Sequence, residues 1–170
     1  MKIGILSDTH GLLRPEAERI LERVGMIIHA GDVGDREVLV RLKKIAPVFA
    51  VRGNADTDAW AKELPLRSVV EAAGRRLYIL HNLRGLDLEP EPAGFDVVIS
   101  GHTHRVETRE QGRVWYVNSG SCGPKRFHLP VTLLLTELGK RPWKFEIVEL
   151  ATCSGVQGVL KRGGNTQGGH

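Results

Sequence analysis

Residues 97–107 read VVISGHTHRVE: an apolar run of strand length, a glycine, then His102 and His104 one residue apart. The whole chain of 170 residues holds seven histidines, so two at this spacing mark a place where ligands gather. Val and Ile bounded by Gly read as a buried strand. On a straight strand both rings would share one face with Thr103 opposite. At a strand end, with Gly101 relaxing the backbone, the rings can fan apart and serve two neighbouring ions.

The same pattern recurs along the chain. The strand KIGIL (2–6) ends in SDTHG, which carries Asp8 and His10. MIIHA (26–30) ends in GDVG with Asp32, PVFAV (47–51) in RGNAD with Asn54 and Asp56, and RLYIL (76–80) in His81 and Asn82. In an α/β sheet, ligands bind beyond the carboxyl ends of the strands. If these five tips share an edge, Asp8, His10, Asp32, Asn54, His81, His102 and His104 meet in one region. Taken singly, Asp8 or Asp32 reads as a loop cap. Seven such residues on five tips would need seven separate structural reasons. The set offers nitrogen and oxygen without sulfur, which suits manganese, iron, zinc, nickel or cobalt. It exceeds what one tetrahedral ion uses. Two ions about 3.5–4 Å apart, sharing a carboxylate, would use it all and would bind both the attacking and the leaving oxygen of a displacement at phosphorus.

Between the tips, the first half alternates strand and helix. PEAERILERV opens with Pro15 in its first turn, and Asp35 caps REVLVRLKKI, whose apolar positions recur every three or four residues. This β-α-β-α-β order predicts a parallel sheet with right-handed crossovers. After Asn54 the pattern turns to hairpins around Gly74, Gly112 and residues 139–142, with DVVIS between them. A parallel half followed by an antiparallel half predicts two sheets packed face to face with helices outside. The domain is expected to span residues 1–150. Residues 151–170, rich in Gly and lacking acids and aromatics, read as a flexible extension.

With 41% apolar and 26% charged residues, the composition is that of a soluble globular chain. No apolar stretch is long enough to span a membrane, and the opening MKIGILS lacks the order of a signal peptide. Two cysteines make a disulfide framework a poor fit, so a cytoplasmic setting is expected. The net charge of +4 is scattered and has no aromatic platform, which argues against nucleic acid but suits an anionic small substrate.

The order D-x-H, G-D, G-N-x-D, H-x, G-H-x-H resembles the calcineurin-like metallophosphoesterases, in particular their small single-domain prokaryotic phosphodiesterase branch. The resemblance runs from Met1 to about Leu150, and NSGSCGPKR (118–126) is similar to the family's NPGS-type loop, with Ser119 where Pro is usual. It implies a four-layer αββα sandwich of two mixed β-sheets flanked by helices. It also implies two divalent metals, manganese first, with iron, nickel, zinc or cobalt as alternatives. Asp8, His10 and His104 would bind one ion, Asn54, His81 and His102 the other, and Asp32 both. A metal-bridging hydroxide would then attack a small phosphodiester, with Asp32, Asn54 and His102 as the catalytic set and Asn54 and Arg126 contacting the phosphate.

Two positions depart from the family. Many members read G-N-H-[DE], whose His helps stabilise or protonate the leaving group; here Ala55 can do neither. That loss favours a phosphodiesterase over a phosphomonoesterase, with Asp56, Arg126 or His128 as candidate substitutes. Asn82 replaces the usual Gly after His81 and is expected to tolerate a left-handed backbone there. The competing reading is a non-catalytic scaffold of the same fold, like the retromer subunit related to this family, which is expected to have lost part of the ligand set. A zinc hydrolase of the metallo-β-lactamase kind lacks the H-x-H-x-D-H run it needs. His29 reads as a core or supporting residue, Cys122 as a buried thiol, and His128 as a surface group. The three tryptophans read as packing, Trp60 with residues 57–64 at a homodimer contact.

Overall fold

The computed structural model describes residues 1–126, 128–139 and 142–150; the expected extension at 151–170 lies outside them. One sheet has the order β10-β9-β1-β2-β3. Its strands are β1 (Lys2–Leu6), β2 (Met26–His29), β3 (Val48–Ala50), β9 (Thr132–Glu137) and β10 (Phe145–Glu149). The other has the order β4-β5-β6-β8-β7. It consists of β4 (Arg67–Ala72), β5 (Arg75–Leu80), β6 (Val97–Ser100), β7 (Val106–Gln111) and β8 (Val114–Ser119).

Both sheets are mixed, as the family resemblance implies; what changes is the division of the chain into a parallel half and an antiparallel half. In the first, β1, β2 and β3 are parallel, and the β9–β10 hairpin joins antiparallel beside β1. In the second, β5, β6 and β8 are parallel, with β4 and β7 antiparallel at the edges. All four residues of β6 are buried, as expected for a central parallel strand covered on both faces.

Side-chain alternation assigns the layers. Ile3, Ile5, Met26 and Ile28 meet Leu77, Ile79, Val97 and Ile99 between the sheets. Leu6, Ile27, Leu133 and Leu135 face outward under α1 (Pro15–Leu21) and α2 (Arg36–Ile45), against Ala17, Leu21, Val38 and Leu42. Pro15 opens α1, and Asp35 accepts the Glu37 N–H at the start of α2. The outer face of the second sheet is covered by the connection after β5, with a 3-10 turn at Leu83–Gly85; Leu83, Leu86, Leu88 and Phe95 pack there on Tyr78, Leu80 and Val98. Trp143 is buried between the sheets, and Trp60 is half-buried against the core beneath the helices. No helix among the described residues is long and apolar enough to cross a membrane.

Candidate metal centre

The five tips converge from two sheets, three from one and two from the other. The loops after β1 and β2 extend the parallel ladder: Asp8 N–H donates to Gly31 O, His10 N–H to Asp32 O, and Gly11 N–H to Val33 O. The second sheet meets them at Gly101. A Cβ there would stand 2.8 Å from Asp8 Oδ2 and from Ser7 Oγ. Gly101 therefore permits close approach rather than a special backbone. The left-handed backbone is taken by five of the candidate ligands themselves: Asp8 (φ 55), His10 (45), Asp32 (52), His102 (72) and His104 (58). Left-handed non-glycine residues of this kind cluster at functional sites held by their surroundings.

All seven sequence-predicted residues lie in one region. Asp8 is fully buried; its Oδ2 accepts from Ser7 Oγ at 2.7 Å and from His102 N–H at 3.1 Å. Its Oδ1 has no hydrogen-bond partner and faces His104 Nε2 at 3.1 Å and His10 Nε2 at 3.9 Å. His10 Nε2 is buried without a hydrogen-bond partner as well. Asp32 Oδ2 lies 3.9 Å from His10 Nε2 and 3.3 Å from His81 Nε2, so it stands between the two groups. Asn54 Oδ1 lies 3.1 Å from His81 Nε2 and 2.9 Å from His102 Nδ1. Donor atoms of Asp8, His10 and His104 all lie within 4.8 Å of one another, as do those of Asp8, Asp32 and His81.

These atoms fit cations. His81 Nδ1 lies 2.7 Å from the Ala30 carbonyl and must donate to it, which leaves the Nε2 lone pair facing two oxygens. Something positive must lie between them. Burial works against a charged His81 ring, but the Asp32 carboxylate and the Ala30 carbonyl raise its pKa. Burial likewise opposes the Asp32 charge, and the His81 ring and the Ala55 N–H outweigh it, lowering the carboxyl pKa. For His104, burial and the nearby Arg126 and His10 outweigh the attraction of Asp8, and the pKa falls. A proton or a metal ion meets the same electrostatic demand here. Neutral imidazoles and carboxylates are the forms that bind metal.

Some expectations change. Asp56 is no leaving-group acid: it is buried and accepts N–H groups from Val33, Gly34 and Gly53, which brace the Asp32 loop. Asn82 has an extended backbone (φ −108) and caps the 3-10 turn by accepting from Arg84 N–H, so no left-handed residue is needed there. His128 and Arg126 are exposed, and of these Arg126 acts electrostatically on His104. Cys122 is fully buried, its thiol pushed up to about 12 by burial, and is no nucleophile.

The family model for the calcineurin-like phosphoesterase superfamily domain matches residues 1–141. The chain belongs to this superfamily. It is 34% identical over 158 residues to a probable metallophosphoesterase of Methanothermobacter thermautotrophicus, covering 83% of this chain and 88% of that one. The structure of an archaeal phosphodiesterase superposes with a TM-score of 0.72 at 28% identity, over 86% of this chain and 99% of that chain. Vps29 from Entamoeba histolytica in complex with zinc also superposes at 0.72, at 21% identity, over 91% and 95%. An enzyme and a Vps29 protein thus share this sandwich equally well, and only the site residues can separate the readings.

Proposed function

We propose that this chain is a two-metal phosphodiesterase acting on small phosphodiesters. The observation that carries the reading is the pair of buried atoms without hydrogen bonds, Asp8 Oδ1 and His10 Nε2, inside a set of facing oxygens and ring nitrogens. Asp8, His10 and His104 would hold one ion, Asn54, His81 and His102 the other, and Asp32 would serve both. Manganese is the ion we favour, with iron, nickel, zinc or cobalt as alternatives of the same donor preference. When bound, two such ions lower the pKa of a water and neutralise charge on the phosphoryl oxygens.

The protein's own groups do the rest. Asn54 turns its oxygen toward His81 and His102, which leaves its NH2 to donate to a phosphoryl oxygen. Arg126 is the second phosphate contact. Ala55 supplies no proton, and its backbone N–H holds Asp32 Oδ1 at 2.8 Å. The leaving group therefore departs without help from this position, which favours diesters with good leaving groups over alkyl monoesters. The filled donor set favours an enzyme over a scaffold. Metal binding alone does not discriminate, since the similar Vps29 structure is itself a zinc complex.

The test is turnover of bis(p-nitrophenyl) phosphate with added Mn²⁺. Asp32→Ala abolishes it. A folded, Mn²⁺-loaded protein inert on diesters and monoesters alike would favour the scaffold.

A further inference from the structure

His29 ends β2, is fully buried, and is not one of the seven donors. Gly31 N–H donates to its Nδ1 at 3.3 Å, and its Nε2 lies 2.9 Å from Thr9 Oγ1. The Thr9 hydroxyl in turn donates to Val33 O at 2.9 Å. With Nδ1 accepting, the ring proton is on Nε2, so the three bonds run in one direction from Gly31 through the ring and Thr9 to Val33. Burial keeps the ring neutral, with its pKa pushed down to about 4, and this direction is preserved near neutral pH.

The chain of bonds ties together the loops that carry three donors. Thr9 lies between Asp8 and His10; Gly31 and Val33 flank Asp32. Asp8, His10 and Asp32 are all left-handed, a backbone that non-glycine residues keep only where their surroundings impose it. The ladder bonds from Asp8, His10 and Gly11 set the spacing of the two loops from one side. The imidazole does so from within, through the side chain set between two metal-facing residues.

We infer that His29, acting through Thr9, is a positioning residue for the shared-carboxylate half of the metal centre, an inference that rests on the two-metal reading above. A histidine that merely filled the core would be replaceable by an apolar side chain with no effect on metal binding. A positioning histidine would not be, and Thr9 would share its effect.

The test compares the full chain with His29→Leu, Thr9→Val, Thr9→Ser and the His29→Leu/Thr9→Val double variant. Mn²⁺ affinity is measured by chelator competition, the pairing of ions by electron paramagnetic resonance, and folding by circular dichroism. His29→Leu and Thr9→Val should each weaken Mn²⁺ binding about 10–100-fold and replace the spin-coupled signal by that of isolated ions. The double variant should be no weaker than His29→Leu, because both break one link. Thr9→Ser keeps the hydroxyl and should retain wild-type affinity. If His29→Leu does not fold, Thr9→Val and its serine rescue decide. Folded Thr9→Val with wild-type affinity and a coupled signal overturns the proposal while leaving the metal reading intact. A wild-type chain that binds no divalent ion overturns both.

Discussion

Asp56→Asn changes one atom of a buried side chain and leaves every metal-facing group in place. The carboxylate Oδ2 accepts from Val33 N–H at 3.2 Å and Gly53 N–H at 2.8 Å, and Oδ1 from Gly34 N–H at 2.9 Å. Asparagine keeps one acceptor. With its oxygen toward Val33 and Gly53, its NH2 faces the Gly34 N–H, donor against donor. Losing that charge-assisted bond costs about 1.5–3 kcal/mol, and the two remaining bonds lose the benefit of the charge, about 1 kcal/mol more. Urea denaturation of the metal-free protein should therefore show a loss of about 3 kcal/mol. Asp56→Ala leaves all three N–H groups without their acceptor, those of Val33 and Gly53 in the buried interior, and should cost more, about 4 kcal/mol after allowing for non-additivity. Because Val33 and Gly34 follow Asp32, and Gly53 precedes Asn54, Mn²⁺ affinity should fall with stability. An Asp56→Asn variant within about 0.5 kcal/mol of wild type, the range of an ordinary surface change, would refute this role.

A Cβ at Gly53 would collide with Asp32 Oδ1 and the Asp32 backbone nitrogen. Gly53→Ala should weaken Mn²⁺ binding at least about tenfold by calorimetry, and unchanged binding would contradict the close approach. Ala55→His, at an exposed position, should raise kcat/KM for alkyl phosphomonoesters by up to about 10²-fold and change the bis(p-nitrophenyl) phosphate rate little. Equal effects on both substrates would remove position 55 from leaving-group chemistry. His29, with a pKa of about 4 in the fold against the ordinary 6.5, refuses a proton that the unfolded chain accepts. Between those values stability falls as pH drops, by up to about 3 kcal/mol. Denaturation series at pH 7 and pH 4.5 should show a steeper loss for wild type than for His29→Leu, and parallel slopes would contradict a buried neutral ring.

The strand tips were legible because each couples an apolar run to a polar residue, at a glycine-marked stop in four of the five, a local signal. The helix starts at Pro15 and Asp35 were legible for the same reason, since capping is local. Sheet membership was not. The β9–β10 hairpin reads as the end of an antiparallel half, yet it pairs beside β1 through contacts more than a hundred residues apart in sequence. The left-handed backbone at Asp8, His10, Asp32, His102 and His104 has no composition signal, because it is imposed by neighbours from other strands. Gly101 and Asn82 illustrate the two sides of this. Each was read as a matter of φ. Gly101 serves close approach to Ser7 and Asp8, and Asn82 is extended and caps a turn. Asp56 drew notice for its charge, but only the fold reveals the three N–H groups it accepts.

The most direct measurement is anomalous diffraction from crystals grown with Mn²⁺. Two peaks about 3.5–4 Å apart should appear, one beside Asp8, His10 and His104 and one beside Asn54, His81 and His102, with the Asp32 carboxylate between them. A single peak, or peaks away from Asp32, would contradict the shared-carboxylate centre on which the assignment rests.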